Sequence, residues 1–546
     1  MSDTHAASWS PERYRLGLCR PNLTIPTCRY DELLSQTAAR LPDRFAIIHR
    51  DVALTFRALD ALVNSGARIL RGALDLRSGE IVAVVMETCP ESLIAYQGVS
   101  RAGGVVLPLN PLHREQELAH QLDDSGAVVL VVPARLHGLA MRLKESHAKL
   151  RSVLWYGCAP AGSEPPADTH YNRLLAVTPG DALAPPARSA GDLLAIPYSS
   201  GTTGTPKGVM LTHRNLVANA LQFVNAHGLS DQDVMLDGLP LLLSMHMGGG
   251  IAAGATQVML IEWSARHLLE ASARHGVTQI YTVTPILGEL DRLPDLEEYV
   301  LPKVKFIAGG ASSLAADLAL RVEQRIGVPI MQGFGLTEAS PLTHAAMPRS
   351  EQERRIGVCG LPVANTEQRI VDIETGEREL PHGTIGHLCV RGPQVMAGYF
   401  KDEAETRRVL RDGWLYTGDL CWCDGDGYLH YADRLKDVLK FQGHTISPAE
   451  LEHVLRKHAG VSDCAVVGID TGPDEQRPVA FVVPALAHAV EPEELRDFVN
   501  TQVADYKHVL AVRTITQIPR SGAGKILRRQ LRQQVAVLSA SALPTS

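Results

Sequence analysis

No CxxC pair occurs in this chain, and its nine cysteines are odd in number and scattered, which argues against a disulfide framework or a cysteine-based metal site. Cys421 and Cys423 form the only close set; alternating with Leu420 and Trp422 they read as one face of a strand, and reduced thiols are expected. A large charge excess is missing too: 53 basic residues against 60 acidic ones give −7, which disfavours a general nucleic-acid or anionic-membrane binder. The first twenty residues include Asp3 and Glu12 and no apolar core of a secretion signal, so the expectation is a cytoplasmic protein. Residues 238–261 carry no formal charge, yet Pro240 and the glycines at 238, 248, 249, 250 and 254 make a poor spanning helix. No stable membrane span is expected there; a buried strand, a turn and a helix start beside a pocket suit the run better. The Walker pattern GxxxxGK[ST] is absent as well. Pro206 precedes Lys207 and Gly208 follows it, while at Lys525 the first glycine is replaced by Pro519 and the Ser/Thr by Ile526.

What is present is most concentrated in residues 198–208, YSSGTTGTPKG. Gly201, Gly204 and Gly208 let backbone N–H groups approach an anion; Ser199, Ser200, Thr202, Thr203 and Thr205 offer hydroxyls, and Lys207 a mobile positive charge. Composition alone suits a mobile linker equally well. Apolar Leu193, Leu194, Ala195 and Ile196 come just before, so the loop is expected to leave a buried strand.

At 546 residues, 45% of them hydrophobic, the chain must divide into at least two domains with ample core. Helical patterns at 57–70 and 115–122 alternate with apolar runs at 81–86, 105–109 and 128–132, which predicts parallel α/β layers. Residues 159–188, rich in proline and small residues, read as a surface excursion. The stretch 386–431 has a β-rich texture with turns at 412–413 and 424–427. The tail reads as a small α/β unit: helices at 448–458 and 492–503, each opening on a proline at the first helical position, and strands at 464–467 and 479–483.

The run SSGTTGTPKG followed by VMLTHRN resembles the phosphate-binding motif of the adenylate-forming superfamily, which includes acyl-CoA synthetases, aryl-CoA ligases, peptide-synthetase adenylation domains and beetle luciferases. QGFGLTE at 332–338, YTGDL at 416–420, DRLKDVLKFQGHTISPAELE at 433–452 and PRSGAGK at 519–525 are similar to its later motifs, in the same order. The likeness runs from about residue 30 to 531. It implies an α/β fold: a large N-terminal domain (1–435) of layered α/β subdomains plus a small β-rich subdomain, and a small mobile C-terminal α/β domain (436–546) hinged near 434–437.

The implied activity is that of an acyl-CoA synthetase: ATP converts a carboxylic acid to an acyl adenylate with release of pyrophosphate, and the acyl group passes to the thiol of coenzyme A. By resemblance, the loop from Ser199 to Lys207 holds the β- and γ-phosphates, Thr337 contacts the α-phosphate, and Glu338 is the Mg2+ ligand, a hard cation wanting carboxylate and phosphate oxygens together. Gly309, Gly310 and Ala311, with Gln332, Gly333, Phe334 and Gly335, line the adenine. Asp419 accepts from the ribose hydroxyls, and Arg434 adds a ribose or phosphate contact. Lys525, on a glycine turn, offsets charge building during adenylation. Lys436 matches the hinge, and Lys440 and Gly443 belong to a second face that forms the thiol channel after rotation.

Two departures stand out. The family writes LP[LM]FHxxG where this chain has LPLLLSMHMGGG, so Leu243 replaces a histidine and His246 comes three places late; Asp433 replaces a frequent glycine. The acid pocket is expected along 244–250, 281–285, 333–335 and 339–342, nearly all apolar or small. An α-ammonium group would need a buried carboxylate, and 238–261 supplies none, which disfavours amino acids and leaves a fatty or aromatic acid. A ligase that loads an acyl carrier protein, a luciferase-like adenylate oxidase and a non-catalytic ATP-binding scaffold are the alternatives; the last fits poorly with Lys207, Glu338, Asp419, Arg434 and Lys525 together.

Overall fold

A computed structural model of the chain describes residues 22–158, 166–199, 206–237, 244–310, 314–346, 355–441, 444–472, 475–485, 491–520 and 526–539. The chain forms two compact units. The first comprises Met1–Gln368, Val390–Leu415 and Asp426–Tyr428; the second comprises Arg369–Cys389, Tyr416–Gly425 and Leu429–Ser546.

Two large sheets build the first unit. One has Ser152–Tyr156, Val129–Pro133, Ile81–Val85, Val105–Leu109 and Leu193–Ala195 side by side and parallel, then Lys207–Thr212 and Gly398–Tyr399 antiparallel. Val105–Leu109 and Val129–Pro133 are buried at every residue, as continuous apolar runs covered on both faces must be. The other sheet runs Val52–Thr55, Phe45–His49, Thr256–Met259, Val234–Asp237, Gln279–Val283, Phe306–Gly310, Ile330–Gly335, Leu342–Ala345, Leu361–Pro362. Its strands from Phe45–His49 to Ile330–Gly335 are parallel. Val234–Asp237 is followed in the chain by Thr256–Met259 on one flank and then by Gln279–Val283 on the other, so the strand order reverses there. The alternation of helix and strand predicted from sequence is present, with helices at Phe56–Arg68 and Glu115–Ser125.

The uncharged run resolves into the helix Ser244–Ala253 and the strand Thr256–Met259, with 238–243 outside the described residues. Its three consecutive glycines are sites of close approach. A Cβ on Gly248 would lie 2.5 Å from the Tyr30 hydroxyl, one on Gly249 2.5 Å from Phe223 Cδ1, and one on Gly250 2.6 Å from Gln257 Cδ. Mid-helix glycine costs about 1 kcal/mol relative to alanine, a cost offset by burying three large side chains against the helix backbone.

The excursion expected at 159–188 is not wholly superficial. A helix, Tyr171–Val177, lies within it; Tyr171 and Leu175 are buried in the main core, which seats the segment against Phe56–Arg68. Small and proline-rich composition masked two anchoring side chains.

In the second unit, Asp419 on Trp414–Cys423 faces Arg434 on Leu429–Arg434 across an antiparallel pair. A bulge between Leu420 and Cys421 interrupts the alternation: Leu420, Cys421 and Cys423 are buried, while Trp422 stacks on His430 at 3.8 Å. Farther on, the hairpin Val461–Gly472/Glu475–Pro484, longer than the two short strands expected, pairs in parallel with Ala511–Thr514. Helices Pro448–Leu455 and Pro492–Asn500 both begin on their prolines and pack over this sheet. Asp433, the departure noted in sequence, holds the start of the first of these: its Oδ2 accepts from Ser447 Oγ (2.7 Å) and Ala449 N (2.9 Å). Among the described residues no helix is long and apolar enough to cross a membrane.

Candidate active site

The glycine-rich run is flanked by two paired strands. Strand Tyr198–Ser199 pairs antiparallel with Lys207–Thr212, Ser199 opposite Lys207. Ser200, Gly201, Thr202, Thr203, Gly204 and Thr205 lie outside the described residues. The chain then enters helix His213–His227 through a capping box, Thr212 Oγ1 accepting from Asn215 N. A strand, not a helix N-terminus, thus follows the loop, and this separates it structurally from a Walker loop.

Lys207 Nζ lies 2.6 Å from Glu405 Oε1, with the two side chains only 14% and 12% exposed. Glu405 also receives Arg408 Nε at 2.6 Å, and Arg408 with Lys207 holds its carboxyl down at about 2. These groups face a cleft of about 600 Å³, lined also by His120, Asp124 and Lys401. Lys207 Nζ sits 5.4 Å from the Tyr399 ring centre, and the Tyr399 hydroxyl donates to Glu338 Oε1 at 3.0 Å. Tyr399 therefore touches both the loop lysine and the expected metal ligand. Burial, reinforced by Glu338, pushes its phenol far above the usual range, so it remains a donor.

Glu338 stands in the short turn Thr337–Ala339, directly after strand Ile330–Gly335 and the connecting Leu336. The turn folds back so closely that a Cβ on Gly335 would be 2.1 Å from Pro341 O. Only glycine admits that return. Gly309 and Gly310 end the neighbouring strand, with Gly309 opposite Gln332. Gln332 is buried and its Oε1 has no hydrogen-bond partner, while Gly333 and Phe334 follow on the same strand. The loop lysine, Thr337-Glu338 and the glycine-ended strands thus all fall in the first unit. Ala311 lies outside the described residues.

In the second unit, Asp419, 1% exposed at its side chain, pairs with Arg434 Nε at 2.7 Å. Burial lowers the Lys436 ammonium from its ordinary range, and the adjacent Asp437 is held by Arg532 at 3.3 Å. Lys440 is exposed on strand Leu439–Phe441. Gly443 and Lys525 lie outside the described residues.

Three residues at this end of the first unit have no counterpart in the sequence reading: Tyr399, Glu405 and Asp237. Asp237 ends the strand at which sheet order reverses and is completely buried, both carboxylate oxygens lacking a hydrogen-bond partner. His246, from the glycine-rich helix, places Nδ1 3.8 Å from Asp237 Oδ1 and packs between Phe223 (5.0 Å) and Tyr281 (4.9 Å). Burial pushes the His246 imidazole down to about 3 and the Asp237 carboxyl up to about 7, so the two do not form a salt bridge near neutrality. The run 238–261 holds no carboxylate, as its sequence states, but Asp237 directly precedes it, and only burial, which sequence does not display, gives that residue meaning.

A metal ion fits Glu338 in one manner. Among the described residues no group of three or more His, Cys, Asp and Glu could hold a cation. A single carboxylate, with Oε1 fixed by Tyr399, suits an ion such as Mg2+ that is bound mainly through phosphate and water oxygens.

Comparison with known proteins places the chain in a family. A family model described as "AMP-binding enzyme" matches residues 34–400, and one for the "AMP-binding enzyme C-terminal domain" matches 450–525. A 4-coumarate–CoA ligase of Oryza sativa subsp. japonica is 34% identical, covering 96% of this chain and 98% of its own. Among solved structures, an anthranilate CoA ligase, AuaEII, in complex with anthranoyl-AMP aligns with a TM-score of 0.85 at 26% identity, over 95% of this chain and 99% of its own. ATP-bound MatB from Rhodopseudomonas palustris aligns with a TM-score of 0.84 at 26% identity, over 93% and 99%. With both models matched in order and the rice enzyme similar along nearly its whole length, the chain belongs to the AMP-binding enzyme family, the adenylate-forming superfamily to which its motifs point.

Proposed function

We propose that this chain, an AMP-forming acid–thiol ligase that uses ATP, Mg2+ and coenzyme A, activates a carboxylic acid with an apolar, aromatic body. The observation that carries the reading is the convergence of Lys207 and Glu338 on Tyr399, beside parallel strands that end in glycines. The relatives named for 4-coumarate and anthranilate favour the aromatic over the fatty arm of the sequence expectation.

In this reading Lys207 and the hydroxyls and backbone of residues 199–205 bind the β- and γ-phosphates. Thr337 orients the α-phosphate, and Glu338, held by Tyr399, presents one carboxylate oxygen to Mg2+, which supplies charge neutralisation on the phosphates when bound. Gly309, Gly310, Ala311 and residues 332–335 make a flat wall for adenine, and Asp419 and Arg434 take the ribose. Lys525 offsets charge on the carboxylate and α-phosphate during the first step only. The chain turns at Lys436 between steps, and Lys440 and Gly443 then border the path of the thiol.

The test is carboxylate-dependent ATP–pyrophosphate exchange over straight-chain and aromatic acids, followed by product analysis with coenzyme A. Exchange with aromatic acids and a thioester product are expected. Exchange without a thioester would overturn the coenzyme A half, exchange confined to straight-chain acids the aromatic half, and no exchange with any acid the whole reading. Lys525→Ala should abolish exchange yet still form thioester from supplied acyl adenylate; equal loss in both assays would remove the assignment of Lys525 to the first step alone.

A further inference from the structure

Asp237 is a carboxyl group with zero exposure and two oxygens without hydrogen-bond partners. A buried polar group left unpaired forfeits its hydration with nothing in return, and such groups are rare enough that each calls for a physical reason. Its place in the fold supplies one. In open parallel sheets ligands bind outside the carboxyl ends of the strands where strand order reverses. Asp237 is the last residue of the strand at which this sheet reverses, opposite Tyr281 on Gln279–Val283. His246, on the helix that follows, places an imidazole nitrogen 3.8 Å away, between the Phe223 and Tyr281 rings. An unpaired carboxyl group and an imidazole thus lie side by side among aromatic rings.

We propose that Asp237, with His246 beside it, determines specificity by binding a primary amino group on the body of the acid, remote from the carboxylate that is activated. This rests on the reading of the chain as an acid-activating ligase. An amine fits the donor count better than a hydroxyl. To the ionised Asp237 carboxylate a hydroxyl donates once and leaves one oxygen unpaired; an amino group donates two or three times, enough for both oxygens and a neutral His246 nitrogen. If it binds as ammonium it also supplies the charge that His246, held neutral by burial, does not. An amine remote from the activated carboxylate lies outside the sequence argument, which concerned an α-ammonium group and the run 238–261, and Asp237 stands just before that run.

The experiment compares kcat/KM for pyrophosphate exchange with benzoic and cinnamic acids in matched sets: unsubstituted, hydroxylated and aminated at each ring position. A site built around such a group rejects the analogue lacking it strongly, so at least one aminated acid should exceed its parent by about tenfold or more. Asp237→Leu should bring that ratio, taken within the variant, to one or below, and the near-isosteric Asp237→Asn should leave it intermediate. General damage would lower both acids together and leave the ratio intact. Preference for the parent in every set, or a preference that survives Asp237→Leu, overturns the proposal; if Asp237→Leu does not fold, the wild-type ratios and Asp237→Asn still decide. Preference for the hydroxylated acids overturns the amine in favour of a hydroxyl. Exchange with some acid but no amine preference removes this inference alone, whereas no exchange with any acid removes the ligase reading and this inference with it.

Discussion

Tyr399 joins two groups that lie 131 positions apart in the chain, and removing its hydroxyl isolates one of them. Tyr399→Phe keeps the ring beneath Lys207 but deletes the hydrogen bond to Glu338 Oε1. A bond to a charged acceptor is worth about 1.5–3 kcal/mol. The Mg2+ concentration for half-maximal exchange should therefore rise at least severalfold in a magnesium titration, with little change in the KM for the acid. Glu338 and Lys207 were legible because glycine-rich motifs surround them. Tyr399 and Glu405 were not, since what marks them is contact with residues far away in the chain. Asp237 escaped for another reason: an aspartate ending an apolar strand looks like a turn former until its burial is known.

At the scale of elements, periodicity and apolar runs predicted the parallel strands well. Val105–Leu109 matches its expected span, because a strand buried on both faces leaves an unbroken apolar signature. The glycine loop was expected after a buried strand, and Leu193–Ala195 is there. That Tyr198–Ser199 pairs antiparallel with Lys207–Thr212 was hidden, since Tyr198–Ser199 is too short to show a pattern. Tyr171–Val177 was missed because it is a short helix anchored by two buried side chains. The helix Ser244–Ala253 offers a direct test: Gly249→Ala would press a methyl group onto Phe223. Alanine's better helix propensity favours the change, but overpacking costs about 1–3 kcal/mol, and net destabilisation is the expected result in denaturant unfolding.

For the whole molecule, the division into a large and a small α/β part was legible from length and from the change in texture along the chain. Acid sensitivity is a property of the whole as well. Burial pushes His213 and His227 down to about 4 and His246 to about 3, so below pH ~6.5 the unfolded chain takes up protons that the folded one refuses. Asp237, pushed up to about 7, acts in the opposite sense: the folded chain keeps a proton that the unfolded one releases. Among these four groups, three protons against one leave the unfolded state about two ahead near pH 5, a contribution of roughly 3 kcal/mol per pH unit to the loss of stability on acidification. Denaturant unfolding between pH 6 and pH 5 measures the slope, and His227→Gln should reduce it by about 1.4 kcal/mol per unit. The glycine helix bears on the molecule at the same scale. Tyr30, Phe223 and Gln257 come from a helix near the start of the chain, a helix in its middle and a strand of the second sheet, and each occupies the space of one missing methyl. The helix is keyed like a shaft in three slots and cannot turn about its own axis. The bearing of the His246 ring is thus set by hard contact, independent of charge, and should persist in high salt, where an aim kept by ion pairs would drift.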